Sequence, residues 1–245
     1  LFMFLIIIKV ILSWVSPAGN NPVLAVIGQL SEPIIAKFRQ LLPPMTGIDF
    51  APMLVGIAVN LRKQGKFVDA SKVLKQALKY SKTKSLNEQV YIEQLDLFAK
   101  FNKYNSHLNV SKTIYNLRQK VATSTLDKLI FHSKKQGAFL QKQVTSKIYK
   151  RLVKIRKDKA SKAIQYFSIV ASLSPKDREE YTYLQAETAK VVSNDYFALK
   201  TYEQTYNLDS RKFKTRAMDG MLSSLNSNKI PSKTKDEWYI KVYET

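Results

Sequence analysis

The chain carries two histidines, His107 and His132, and no cysteine. They stand apart without an H-x-x-x-H spacing, so no metal site is expected. The adjacent carboxylates Glu179 and Glu180 would point to different faces of a helix. They suit the positive end of a helix dipole better than a general acid–base pair. K-Q-G-K-F (63–67) and K-Q-G-A-F (135–139) each hold one glycine and read as helix connections, not phosphate-binding loops. No catalytic, cofactor-binding or metal-ligating residue is assigned.

The strongest cluster of charge is K-I-Y-K-R-L-V-K-I-R-K-D-K-A-S-K at 147–162. Read as one helix, it places Ile148, Leu152 and Ile155 on one face. Lys147, Lys150, Arg151, Lys154 and Lys157 fall on another. The plainer reading is a solvated face, and the sharper one is a stripe for a polyanion or acidic glycan. Nucleic acid is disfavoured, because no aromatic residues are interleaved for base stacking. Tyr181, Tyr183, Tyr196, Tyr202 and Tyr206 could stack on sugars, but at helical spacing they read as core.

The elements that must position these residues are helical. Hydrophobic residues make up 45% of the 245 positions, while only 7 are glycine and 8 proline. Disulfides and thiolate metal sites are excluded. The net charge of +21 is divided unevenly. Residues 1–60 hold three basic and two acidic side chains, which leaves 37 and 17 of the 40 and 19 for residues 61–245. The basic part suits polyanions, whether nucleic acid, anionic headgroups or glycan, although lysine-rich codon usage would produce the same excess.

The first fifteen residues, L-F-M-F-L-I-I-I-K-V-I-L-S-W-V, hold one charge, Lys9. As a helix they would span ~22 Å, short of the ~30 Å bilayer core, with Trp14 at the interface. The apolar run is already under way at Leu1, and the sequence stops at K-V-Y-E-T without a helix stop. Both ends therefore read as cut. Residues 22–42 suggest two short amphipathic helices interrupted at Pro33 and lying at a membrane interface. I-L-S-W-V-S-P-A-G-N-N-P, L-S-E-P-I, K-F-R-Q-L-L-P-P and G-I-D-F-A-P together resemble the second repeat of the YggT family over about residues 4–59. That resemblance implies an inner-membrane envelope protein without a known catalytic site. The family's last span should continue as apolar sequence, whereas here it meets Arg62 and Lys63.

Beyond residue 60, Gly65, Phe67, Ala70, Leu74 and Ala77 stand at the offsets of a tetratricopeptide-type hairpin, with small residues for close approach and large ones for the groove. Ala163, Phe167 and Val170 repeat the theme before Pro175. Ala198, Tyr202 and Thr205 repeat it again. The spacing is irregular, so a degenerate α-solenoid is expected. Ser174, Pro175 and Asp177 form a helix start. Pro231 reads as a stop, with Asp236 and Glu237 opening the last helix. R-L-V-K-I-R-K-D-K-A-S-K-A-I-Q-Y-F and K-D-E-W-Y-I-K-V-Y-E resemble the superhelical U-shaped domain of soluble lytic murein transglycosylases, over about 139–245 and only thinly over 61–138. That family's catalytic acid is a glutamate followed by serine. No glutamate here is followed by serine.

The expectation is thus an all-α chain: membrane or interfacial helices in 1–60, then a basic α-solenoid of helical hairpins in 61–245. M-L-V-G-I-A-V-N-L-R-K-Q (53–64) can serve as a shortened span or as the first solenoid helix. The leading functional expectation is the non-catalytic superhelical part of a murein transglycosylase. The alternatives are a YggT-type membrane protein with a fused helical interaction domain, and a tetratricopeptide-type adaptor. The bacterial inner membrane (through 1–60) and peptidoglycan are the expected partners, with the helical domain in the periplasm. No cofactor is expected.

Overall fold

The computed structural model describes residues 50–208, 212–227 and 229–243, the last three by backbone alone. The membrane and interfacial helices expected before residue 50 lie outside the described residues. Residues 50–245 fall in one of the chain's two units, and among its described residues the structure is all-α. Ten helices follow one another: α1 (Ala51–Lys63), α2 (Phe67–Tyr80), α3 (Lys84–Lys100), α4 (Tyr104–Asn116), α5 (Thr123–Thr145), α6 (Val153–Leu173), α7 (Arg178–Val191), α8 (Asp195–Asn207), α9 (Lys214–Leu225) and α10 (Ser232–Tyr243). Each packs on helices one or two places along the chain, as in a solenoid of hairpins.

Three of the turns share one geometry. Gly65, Asn102 and Ser193 adopt positive φ of 82°, 54° and 57°. The amide of the next residue, Lys66, Lys103 or Asn194, then donates to the carbonyl five places earlier, at Leu61, Phe98 or Ala189. This closure satisfies helix-end carbonyls that would otherwise lack donors. It turns α1 into α2, α3 into α4, and α7 into α8. Glycine adopts positive φ without strain, whereas asparagine and serine do so at some cost.

The core forms in three successive clusters. Ala51 and Ala58 of α1 are buried with Ala70, Leu74 and Ala77 of α2 and Val90 and Leu97 of α3. Residues 53–64 therefore contribute to the first hairpin, and no described helix is long and apolar enough to cross a membrane. The second cluster joins Leu95, Leu108, Ile114, Leu129, Leu140, Tyr166 and Phe167. The third gathers Ala186, Ala198, Tyr202, Ala217, Met221 and Trp238. The sequence positions Ala70, Leu74, Ala77, Ala163, Phe167, Val170, Ala198, Tyr202 and Thr205 are all buried.

Three local expectations are corrected. Gly137 is not in a connection but inside α5, where a Cβ would stand 2.5 Å from Phe167 Cε1. Phe167 can seat only because position 137 has no side chain. The last helix opens at Ser232, immediately after Pro231, so Asp236 and Glu237 lie beyond its first turn. Ser174 bonds the Asp177 carboxylate instead of capping a backbone amide. Asp177 also pairs with Lys134 of α5 at 2.7 Å.

Gly220 repeats the Gly137 device: a Cβ there would stand 2.6 Å from the buried Tyr202 ring. Gly56, in α1, has open space around its Cα. Gly137→Ala and Gly220→Ala should each destabilise by about 1–3 kcal/mol through overpacking. Gly56→Ala should stabilise by about 0.5–1 kcal/mol through helix propensity. Chemical denaturation of the three variants checks this opposition of sign.

Candidate functional site: a basic elbow and a buried polar spine

The basic cluster at 147–162 is not one helix. Thr145 ends α5, its hydroxyl donating back to the carbonyls of Gln141 and Lys142. A hydroxyl bonded back into the last turn competes with helix continuation. One 3-10 turn follows at Lys147–Tyr149, and α6 starts only at Val153. The expected apolar face is therefore not buried. Ile148 is 79% exposed, Val153 59%, Leu152 46% and Ile155 45%. Lys147, Lys150, Arg151, Lys154 and Lys157 are exposed among them. The structure keeps the five cations in one elbow but mixes them with aliphatics, which the helical reading had separated.

The elbow is anchored at its base. Arg156 Nε donates to the Val144 carbonyl at 2.8 Å. Lys159 reaches Gln143 Oε1, with its ammonium over the rings of Tyr149 and Tyr104 at 5.0 and 5.4 Å. Burial pushes the Lys159 ammonium below its ordinary pKa. Among the described residues, none of Lys147, Lys150, Arg151, Lys154 and Lys157 has an ion-pair partner; the neighbouring Asp158 pairs with Lys162. An open groove of about 410 Å³ continues from Lys157 along Ser161, Ile164 and Gln165 to Ser193, Asn194 and Phe197.

The two histidines, distant in sequence, meet in the core. Their ring centroids lie 5.5 Å apart. His107 Nδ1 is 2.8 Å from the Tyr166 hydroxyl, which also donates to the Tyr104 carbonyl at 3.3 Å. His132 Nε2 is 3.3 Å from Asp96 Oδ1. Arg62 of α1 reaches Glu93 at 3.1 Å and Asp96 at 3.8 Å, while its carbonyl accepts from Lys100 Nζ at 2.7 Å. This spine ties α1, α3, α4, α5 and α6 together. Among the described residues, no group of three or more His, Cys, Asp or Glu side chains could hold a metal.

Electrostatics fits a structural spine. Burial, with His132 alongside, lowers His107 to about 3 against the opposing pull of Asp96. The hydrogen bond from His132 holds Asp96 below its ordinary value despite burial. Burial raises the Tyr166 phenol. Glu88 serves locally too: its carboxylate accepts from the Ala122 amide at 3.0 Å and the Thr125 hydroxyl at 2.6 Å. It thereby caps α5, whose own flanking residue, Ala122, has no side-chain acceptor. Glu179 and Glu180 occupy the first turn of α7, as a dipole role requires. Of the five tyrosines, Tyr202 is buried and bonds Glu187, while Tyr196 is half exposed.

Sequence reasoning missed the histidine pairing and the exposed aliphatics. Glu93 and Asp96, three apart on one helix, were the available signal for the first. The second had none, because it depends on where α5 stops.

The described unit is thus an all-α array of sequential helical hairpins. Residues 1–65 match the model of a family described as CCB3/YggT. The chain is 43% identical over 60 residues to the uncharacterized protein PA0392 of Pseudomonas aeruginosa, covering 24% of this chain and 30% of that protein. It is 37% identical over 65 residues to the uncharacterized protein YggT of Escherichia coli K12, covering 26% and 34%. An uncharacterized protein of Haemophilus influenzae is 42% identical over 52 residues, covering 21% and 28%. The chain thus spans about a third of the length of the curated relatives it matches. These matches lend no support to the transglycosylase resemblance of 139–245. The family match runs through all of α1.

The spine generates a pH prediction. An unfolded chain protonates His107 near its ordinary 6.5, whereas the folded chain resists to about 3. The unfolded state thus binds more protons between those values. Stability should fall as pH drops through that window, by up to about 1.4 kcal/mol per pH unit. Below the ordinary aspartate value, loss of the Asp96 carboxylate adds to the decline. His107→Gln should flatten the upper part of the profile in thermal melts across pH.

Proposed function

We propose that this is an inner-membrane protein of the bacterial envelope in which a YggT-type segment carries a fused helical interaction domain. The observation that supports it is the overlap at α1. The family match runs to residue 65, and α1 within it is also the first helix of the hairpin array. The family match and the hairpin array thus overlap in one helix. Among the described residues of the array, the paired His132–Asp96 and His107–Tyr166 groups hold neighbouring helices together. Binding, not catalysis, is the function such a unit supports.

The test is membrane retention. The full chain should stay in the membrane pellet through carbonate and high-salt washes, and a chain lacking residues 1–49 should wash out. Release of the full chain by carbonate would contradict the reading.

A second reading is a periplasmic superhelical scaffold that engages glycan for a murein-processing enzyme. Its support is the residue resemblance over 139–245 and the groove beside α6. There Phe197 offers an aromatic edge next to the amides of Gln165 and Asn194, a combination that suits a sugar ring. Phe197→Ala should then lower sedimentation of the chain with purified murein several-fold. Unchanged sedimentation would remove this reading.

A further inference from the structure

We propose that the elbow at residues 146–157 docks onto the surface of an anionic bilayer, with its aliphatic side chains in the headgroup region. Its composition separates it from an ordinary solvated turn. Four aliphatic residues, Ile148, Leu152, Val153 and Ile155, are each at least 45% exposed within eight positions. Such a patch is disfavoured on a surface that meets only water. The segment contains five exposed cations and no acidic residue. Aliphatics that enter the interface, surrounded by lysine and arginine that pair with phosphates, are the pattern of interfacial lipid binding.

The chemistry favours lipid over the other polyanions. Aliphatic tips gain nothing from a glycan, and Tyr149, the elbow's aromatic ring, is engaged by Lys159, which leaves no aromatic free to stack on bases. The elbow is also held in a defined turn. Its turn is closed by backbone bonds from Tyr149 to Ser146, Lys150 to Lys147 and Leu152 to Tyr149. Arg156 ties its base to the end of α5. The inference rests on the membrane reading of the YggT-type segment that precedes α1 only for the nearness of a bilayer.

The absence of cysteine allows a direct test. Ile148→Cys, at a solvated position, is labelled with a polarity-sensitive fluorophore in the full chain. That chain is reconstituted in phosphatidylcholine vesicles with or without phosphatidylglycerol. Emission at 148 should rise and shift to the blue only with phosphatidylglycerol, and should revert at high salt. Lys150→Gln, Arg151→Gln and Lys154→Gln should each reduce the docked-to-free ratio about fivefold. A label at Lys112→Cys, on exposed α4 surface, should not respond. Equal emission in both vesicle types would overturn the proposal. So would a response to soluble murein fragments in place of lipid. Carbonate extraction of the same samples separates the two readings. Retention with a silent label refutes the elbow and leaves the YggT-type anchor standing. Wash-out with a lipid-dependent label refutes the anchor and leaves the elbow standing.

Discussion

The alanine seam between α1 and α2 is the contact on which the organisation of the chain depends. Ala51 and Ala58 on one helix, and Ala70 and Ala77 on the other, are all essentially without solvent exposure. Side chains of this size let helix axes approach closely and bring Leu74 into the same cluster. The seam commits α1 to the array, although α1 also ends the stretch that matches the CCB3/YggT family. Arg62 reinforces that commitment. It lies in the last turn of α1 and reaches Glu93 and Asp96 of α3. A membrane span would have to desolvate the same guanidinium.

The same device recurs further along. Gly137 under Phe167 and Gly220 under Tyr202 set a small residue against a large ring, as the seam sets alanine against leucine. Each pairing lies in its own cluster of the core. The array is therefore built from local contacts between helices close in sequence, which is how solenoids gain stability without a single global core. The polar spine from part-buried Arg62 to buried Tyr166 is the longer-range addition. It joins the first hairpin to the middle helices through groups held in the ionisation states that burial and pairing dictate.

Much of this was legible in the sequence. Helix was signalled by the scarcity of glycine and proline, and the hairpin offsets at Ala70, Ala163 and Ala198 fell on buried positions. The turns were less legible. Gly65 announces its positive φ, but Asn102 and Ser193 adopt the same conformation, and neither residue type requires it. Gly137 misled, because a lone glycine marks a connection or a close contact and periodicity does not separate the two. The site was legible in composition and not in geometry. The five cations at 147–157 are adjacent in sequence, so they stay together in any fold. The exposure of Ile148 and Leu152 follows from α5 stopping at Thr145, through a hydroxyl back-bond that helical periodicity does not register.

α1 packs with the helical array and not as an independent apolar span. Hydrogen exchange on the full chain in a bilayer mimetic, with increasing urea, tests this directly. The amides of residues 55–63 should lose protection together with those of α2 and α3, in one cooperative step. Protection of 55–63 that persists after α2 and α3 have exchanged would contradict it.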